Sequence, residues 1–291
     1  MNKKKFKIDW SKTMDKIREQ ATTKGTKSFK DERIYYPQFQ KNGTAQAIIR
    51  FLPSKDTDIP FVSMYSHSVK GMGGYYIEDC PTTIKKECPV CKANSAIWDS
   101  DPDLARKRKR KQNYFSNILV VKDPANPENE GKVWLYKYGK KVYDKIMSKV
   151  TPGEDSIEEP IMVFDYYEGA DFKLILKKVK VGNVEMPNYD DCRFDNSSSV
   201  GTEAEIEKID NSLYGLSEFV SEESFKSFEE LESKFNRVIG VNSSATAPSR
   251  NQSPAPLTTQ ENKPSTKVAE DTVFEGGDDE FFKELQTDKS E

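Results

Sequence analysis

Three of the chain's four cysteines and its only histidine fall within one short segment, as His67, Cys80, Cys88 and Cys91. The last two form Cys88-Pro89-Val90-Cys91, a step that lets one tight turn present two sulfurs to one metal. Zinc takes four ligands at tetrahedral corners from thiolate and imidazole, and His67 and Cys80 would close that shell. Four good ligands leave no open position for water, so the expected role of one zinc ion is structural rather than catalytic. The flanks, Ser68 to Gly74 and Pro81 to Glu87, are charged and turn-rich. The segment therefore promises little apolar core of its own, and a metal would supply its folding energy. A lone Cys-x-x-Cys also reads as a redox pair; the neighbouring cysteine and the sole histidine favour the metal. The spacings match no common zinc-finger pattern. Cys192 is left over, as a buried small hydrophobe or a substitute ligand.

A second chemistry lies nearby. Residues 106–111 read Arg106-Lys107-Arg108-Lys109-Arg110-Lys111 and lead into Tyr114 and Phe115. Tyr75 and Tyr76 lie beside the cysteine segment, and Trp134, Tyr136, Lys137, Tyr138, Lys140, Lys141 and Tyr143 follow. Six consecutive cations repel one another, so something must compensate for their charge. Lysine and arginine neutralise phosphates and release counterions, while aromatic rings stack on unpaired bases without reading sequence. Together they point to single-stranded nucleic acid, with Tyr75, Tyr76, Arg108, Lys109, Arg110, Lys111, Tyr114, Phe115, Tyr136 and Tyr138 as candidate contacts. Such contacts barely separate DNA from RNA without a reader of the 2′-hydroxyl. A zinc-stapled adaptor that bridges proteins through charged ends is the other reading. No GxxxxGK phosphate loop and no HExxH occurs. Asp190, Asp191 and Glu185 could bind magnesium in a nuclease, but acidic pairs are common on surfaces, so an enzyme is not expected.

The elements that must position these groups read as follows. Strands are expected at Ala45 to Leu52, Ile59 to Tyr65 and Tyr75 to Ile77, with turn signals at Gly71, Gly73 and Gly74. Ala93 to Trp98 suggests a helical turn. Tyr114 to Val121, Lys132 to Tyr138, Ile161 to Phe164 and Phe172 to Val181 are further strands. A helix opens at Gly139 and Lys140, with Val142, Ile146 and Val150 on one face. From about residue 203 the period turns helical. Ile206, Ile209, Leu213, Leu216 and Phe219 form one stripe, and Phe225, Phe228, Leu231, Phe235 and Ile239 the next. Ser227 with Glu230 resembles a capping box, and Gly240 a stop. The two helical stretches are expected to pack on the strands as one unit. The fold class is mainly β with added helices: a five-stranded open barrel of the oligonucleotide-binding type carrying an inserted zinc-binding subdomain.

The chain has 291 residues, 32% charged and 35% hydrophobic, with net charge -3. No apolar run is long enough to span a membrane, and Met1-Asn2-Lys3-Lys4-Lys5 is followed by no signal-peptide stretch. Reduced, cytosolic conditions fit cysteines that serve a metal. The charge is unevenly spread. Residues 1–25 carry eight cations against three acids, and residues 270–291 nine acids against two lysines. The expected organisation is a basic arm at 1–25, with Trp10, Met14 and Ile17 near helical spacing. A core follows at 26–240, with the zinc segment at 67–91 and a helical part at 203–240. A flexible linker covers 241–269 and an acidic tail 270–291. In the tail, Phe281-Phe282 and Leu285 suit a short helix on a partner.

Asn117-Ile118-Leu119-Val120-Val121-Lys122-Asp123-Pro124-Ala125-Asn126-Pro127-Glu128-Asn129-Glu130-Gly131-Lys132-Val133 resembles the single-stranded DNA-binding proteins of T-even-type tailed phages. Gln46-Ala47-Ile48-Ile49-Arg50-Phe51-Leu52-Pro53-Ser54-Lys55, Lys226-Ser227-Phe228-Glu229-Glu230-Leu231 and Lys234-Phe235 are similar to that family too. The resemblance spans roughly residues 40–240. It implies an oligonucleotide-binding barrel with a zinc subdomain, whose one histidine and three cysteines fall on His67, Cys80, Cys88 and Cys91; Cys192 matches no ligand. It implies a DNA cleft at Tyr75, Lys109, Arg110, Lys111, Tyr114 and Tyr136, with Phe115 where the family can have tryptophan and Tyr189 as a further cleft tyrosine. It implies that Lys3, Lys4 and Lys5 contact the neighbouring protomer and make coating cooperative. The acidic tail would compete with DNA for the cleft. It would also recruit replication and recombination proteins: polymerase, primase, helicase loader and recombination mediator. The setting would be the cytoplasm of an infected bacterial host, in replication, recombination and repair. The sequence departs from the family's pattern of three cations then two hydroxyl residues, since Phe6-Lys7 follow the first triplet and Gln112-Asn113 the second. The stretch from Asp101 to Lys107 also lacks a tyrosine often placed before the cation run.

Overall fold

The structure is a computed structural model that describes residues 31–181 and 184–240. The basic arm, the linker and the acidic tail, with Lys3, Lys4 and Lys5, lie outside the described residues.

The organising strand is β4 (Lys111–Lys122). Along one edge its first half pairs with β2 (Val62–Gly71), from Val62↔Phe115 to Ser66↔Lys111. Its second half pairs with β1 (Thr44–Phe51), from Phe51↔Ile118 to Ile48↔Lys122. The other edge takes β5 (Val133–Tyr138). β2 turns into β3 (Gly74–Asp79) as a hairpin. β1 pairs on its far side with β6 (Ala170–Val181), which also carries β7 (Val184–Asn188) and β8 (Arg193–Ser197). All these ladders are antiparallel. The path β3-β2-β4-β1-β6-β7 is open, and among the described residues no ladder joins β5 to β7 or β8. The free edge of β5 is instead covered by residues 33–35: Tyr35 N–H donates to Leu135 O at 2.7 Å and Leu135 N–H to Arg33 O at 2.9 Å.

β4 is buried without a break from Asn113 to Val120 because both its faces are covered. Tyr114, Ile118 and Val120 join Ile49, Phe51, Tyr136, Tyr138, Phe172 and Leu174 in the main core. The helix α3 (Lys140–Val150) seats Val142 and Ile146 in the same core. Phe115 and Leu119 point the other way, under Leu216 and Leu213. That second layer consists of α4 (Glu203–Asn211), capped by Thr202 and Glu205, and the stretch after it, which includes a 3-10 turn at Ser217–Val220. The expected helical stripe through Phe219 stops at Asn211 for a local reason. Between Tyr214 and Ser217 the backbone bonds to sheet and loop side chains, before a short 3-10 turn at Ser217–Val220. Asn117 accepts from Tyr214 N–H and donates to Tyr214 O, both at 2.9 Å, and Asp56 accepts from the amides of Leu216 and Ser217. Ile161 to Phe164, expected as a strand, is irregular; Val163 and Phe164 plug the main core, so the apolar run marks burial alone.

The last helix does not join that layer. α5 (Phe228–Ile239), with its Ser227–Glu230 capping box and Gly240 in the left-handed conformation, packs on the metal segment. Leu231, Phe235 and Val238 cluster with Val69, Tyr76, Cys80, Cys88 and Val90. The metal segment thus has an apolar core, built from its own Val69, Tyr76 and Val90 and completed by a helix about 140 residues downstream, correcting the expectation that it has little. The hairpin tip lies so close to the end of α5 that a Cβ on Gly71 would sit 2.1 Å from the Val238 carbonyl oxygen.

Candidate metal centre and nucleic-acid interface

His67 lies in β2, Cys80 just after β3, Cys88 immediately before α1 (Pro89–Ile97), and Cys91 in the first turn of that helix. Pro89 at the first helical position fixes the entry to α1. The positive end of a helix favours thiolate, and both sulfurs of the Cys-x-x-Cys sit there. The four donor atoms all lie within 4.8 Å of one another. Cys80 Sγ is 3.6 Å from Cys91 Sγ, and His67 Nε2 is 3.3 Å from Cys91 Sγ and 3.6 Å from Cys88 Sγ. Ordinary zinc bond lengths at tetrahedral angles require about 3.8 Å between sulfurs and about 3.6 Å between nitrogen and sulfur. The spacing therefore fits one tetrahedral ion. His67 Nδ1–H donates to the Arg108 carbonyl at 3.1 Å, which turns Nε2 toward the sulfurs. Packed this closely, the thiols share protons: hydrogen bonds from Cys88 and Cys91 hold Cys80 well below the ordinary thiol range, while Cys80 pushes Cys91 well above it.

The cation run does not form one stripe. Arg106 and Lys107 end α2 (Pro102–Lys107), whose negative terminus suits them. Arg108 is half-buried, its guanidinium 5.5 Å from the Phe235 ring centroid, so it belongs to the metal module rather than to an open surface. Lys109 and Arg110 are exposed in the turn, and Lys111 opens β4. This dispersal over helix, turn and strand relieves the expected repulsion. Arg110 lies 4.2 Å from the centroid of Tyr65, a residue of β2 that sequence reasoning passed over. By register Tyr65 faces Gln112 and Ser63 faces Tyr114, so Tyr65, Gln112 and Tyr114 share one face of the β2–β4 pair. Tyr143 of α3 stacks on Tyr114 with centroids 4.1 Å apart, and Phe61 meets both edge-on. Burial, then Tyr143, Tyr65 and Asp144, push the Tyr114 hydroxyl up to about 12, so it stays neutral and does not repel phosphate.

The other sequence-predicted aromatics divide sharply. Tyr75 is 40% exposed, with Lys70 Nζ 5.1 Å from its ring centroid, on the hairpin face opposite Tyr76. Tyr76 is buried edge-on against Phe235 in the metal module. Tyr136 and Tyr138, each 3% exposed, line the main core. Phe115, 6% exposed, stacks on Phe219 at 4.7 Å on the far face of β4 from Tyr114. These four rings present no open face to a base: neighbouring strands and helices already cover them, which corrects their reading as stacking platforms. Tyr114, also 6% exposed and covered by Tyr143 and Phe61, is corrected with them. Tyr189 is half-buried against the main core, after β7. Cys192 is buried there as well, its sulfur 3.3 Å from the Ile175 carbonyl oxygen, and it is not a metal ligand.

Fold and site together define a β-sheet protein with a cluster of one histidine and three cysteines that could hold a metal ion, and a cation-aromatic rim where that cluster's module meets the sheet. Residues 42–239 match the model of the gp32 DNA-binding-protein-like family, and the chain belongs to that family. It is 38% identical over 249 residues to a single-stranded DNA-binding protein of Enterobacteria phage T2, covering 83% of this chain and 80% of that one. It is also 38% identical over 239 residues to the one of Enterobacteria phage T4, covering 79% and 78%. The family is one of binders, not catalysts. Among the described residues no helix is long and apolar enough to cross a membrane.

Proposed function

We propose that the protein binds single-stranded DNA without sequence preference and coats strands exposed during replication, recombination and repair. The observation that carries this is Arg110 over Tyr65, beside Tyr114 and Tyr143 at one rim. It combines a phosphate-neutralising cation with aromatic surface, which unpaired bases can use and a stacked duplex cannot. The contact set is Tyr65, Tyr75, Lys109, Arg110 and Lys111, with Tyr143 and Tyr189 at its margins and Tyr114 supporting Tyr143 from beneath. The sheet has the character of an open oligonucleotide-binding barrel. Phe51 at its centre contacts Tyr136 of β5 at 6.3 Å and Phe194 of β8 at 6.1 Å, as a sheet curled around one core would allow. The metal is a structural zinc ion held by His67, Cys80, Cys88 and Cys91. Cooperative coating through Lys3, Lys4 and Lys5, and recruitment of replication and recombination proteins through residues 270–291, complete the proposal. The setting is the cytoplasm of an infected bacterial host.

The test is a fluorescence titration with a short homopolymeric DNA strand over several salt concentrations, beside its matched duplex. Quenching with a steep salt slope and a strong preference for the single strand is expected. Equal affinity for both forms would sink the reading. Saturable binding to RNA of the same length with equal affinity would widen the ligand class to either nucleic acid.

A further inference from the structure

The Thr82 hydroxyl has two neighbours with different tasks. Arg110 Nη1 donates to Thr82 Oγ1 at 2.8 Å, and Thr82 Oγ1 lies 3.1 Å from Cys80 Sγ. A guanidinium has no acceptor, and a metal-bound thiolate has no proton to give. The hydroxyl proton must therefore point at sulfur, and the chain runs from Arg110 through Thr82 to Cys80. The turn that carries Thr82 also holds the ring beneath Arg110. Tyr65 N–H donates to Thr83 Oγ1 at 2.9 Å, and Cys80 N–H donates to Tyr65 O at 2.7 Å. Both members of the Tyr65–Arg110 pair are thus tied to the four residues that begin at a metal ligand.

We propose that Thr82 is a positioning residue that couples metal occupancy to the nucleic-acid surface. A Cys80 thiolate fixed by the ion orients the hydroxyl, and the hydroxyl holds the Arg110 guanidinium over Tyr65, where a strand would meet it. This rests on the single-stranded DNA reading for its consequence, but not for its geometry. Hydrogen bonds in series polarise one another, so a change at Arg110 reaches the sulfur, and a change at the sulfur reaches Arg110. Coupling between two binding sites is reciprocal. If the ion strengthens strand binding through this joint, a bound strand must hold the ion more tightly by the same factor. The His67 bond to the Arg108 carbonyl orients the ligand by a separate route that leaves Thr82 untouched.

The experiment loads the full-length protein with cobalt(II) and reads the thiolate-to-cobalt charge-transfer band. Thr82→Val removes the hydroxyl and keeps the shape; Thr82→Ser restores the hydroxyl. Thr82→Val should move the band and Thr82→Ser should not. Arg110→Met should move it in the wild-type background and leave it still in the Thr82→Val background. A band that ignores Arg110→Met in the wild type overturns the link. A second arm measures cobalt retention against a chelator with and without a saturating single-stranded oligonucleotide. The strand should raise retention about five-fold in wild type and Thr82→Ser, and not in Thr82→Val. An equal rise in Thr82→Val overturns the coupling. If no variant binds the oligonucleotide, the DNA reading falls and the coupling with it, while the band still decides the Thr82 link.

Discussion

Phe115 follows Tyr114 in sequence and sits on the opposite face of β4, which separates stability from binding in one substitution. Phe115→Ala removes a ring that is 6% exposed, stacked on Phe219 at 4.7 Å, and packed with Val62, Met64, Leu135 and Leu216. Truncating a buried phenylalanine costs about 3–5 kcal/mol, of which the ring pair accounts for about 0.5–1.5 kcal/mol. Phe219 sits in a short 3-10 turn, Ser217–Val220, that can settle partly into the space, so the low end, about 3 kcal/mol, is expected. For a folded unit of this size each kcal/mol moves the midpoint by about 2–4 °C, giving a fall of about 6–12 °C. Thermal melts and urea titrations measure the loss. Oligonucleotide titration well below the new midpoint should show affinity within about two-fold of wild type, because Tyr65 and Arg110 lie across the strand. Phe115→Leu, which keeps most of the volume, should cost less than about 1.5 kcal/mol. A tenfold loss of affinity with an unchanged midpoint would refute the assignment of Phe115 to the core and return it to the binding face.

Metal removal should loosen the module before the sheet: chelation is expected to strip hydrogen-exchange protection from the β2–β3 hairpin and α5 while β1 and β6 keep theirs, and uniform loss would contradict this division. Asp56 gives a pH test. Burial raises its carboxyl, but bonds from Ser217, Leu216 and Ser54 outweigh that and leave it below the usual carboxylate range. Its clasp on residues 216–217 is therefore complete above the ordinary carboxylate range and lost as pH falls through the lowered value. Exchange of the Leu216 amide should accelerate there in wild type, while Asp56→Ala should exchange fast at every pH.

The metal quartet was legible because its members are close in sequence and chemically distinctive. β1, β4, β5 and β6 were legible from β-branched and aromatic runs, and α5 from its capping box and glycine stop. What could not be read was which partner each element meets. Nothing local says that α5 covers Cys88 and Tyr76 while Leu213 and Leu216 cover the sheet. A run such as Tyr114 to Val121 looks the same whether one face or both are buried, so Tyr114 and Phe115 seemed equivalent. Tyr65 was missed because its cation, Arg110, is brought to it by strand register, not by sequence proximity. β7 and β8 are short and polar, and their pairing is supplied by β6.

The covered edge of β5 bears on what happens when many copies crowd along one strand of DNA. A protein that coats a polymer meets its own kind at high local concentration, side by side and in similar orientation. An exposed strand edge would then invite sheets to fuse. Residues 33–35 occupy that edge of β5, and the Tyr35 hydroxyl anchors them to Asp123 at 3.0 Å. If the protein coats a strand as proposed, neighbours could crowd against this side without continuing one another's sheet there.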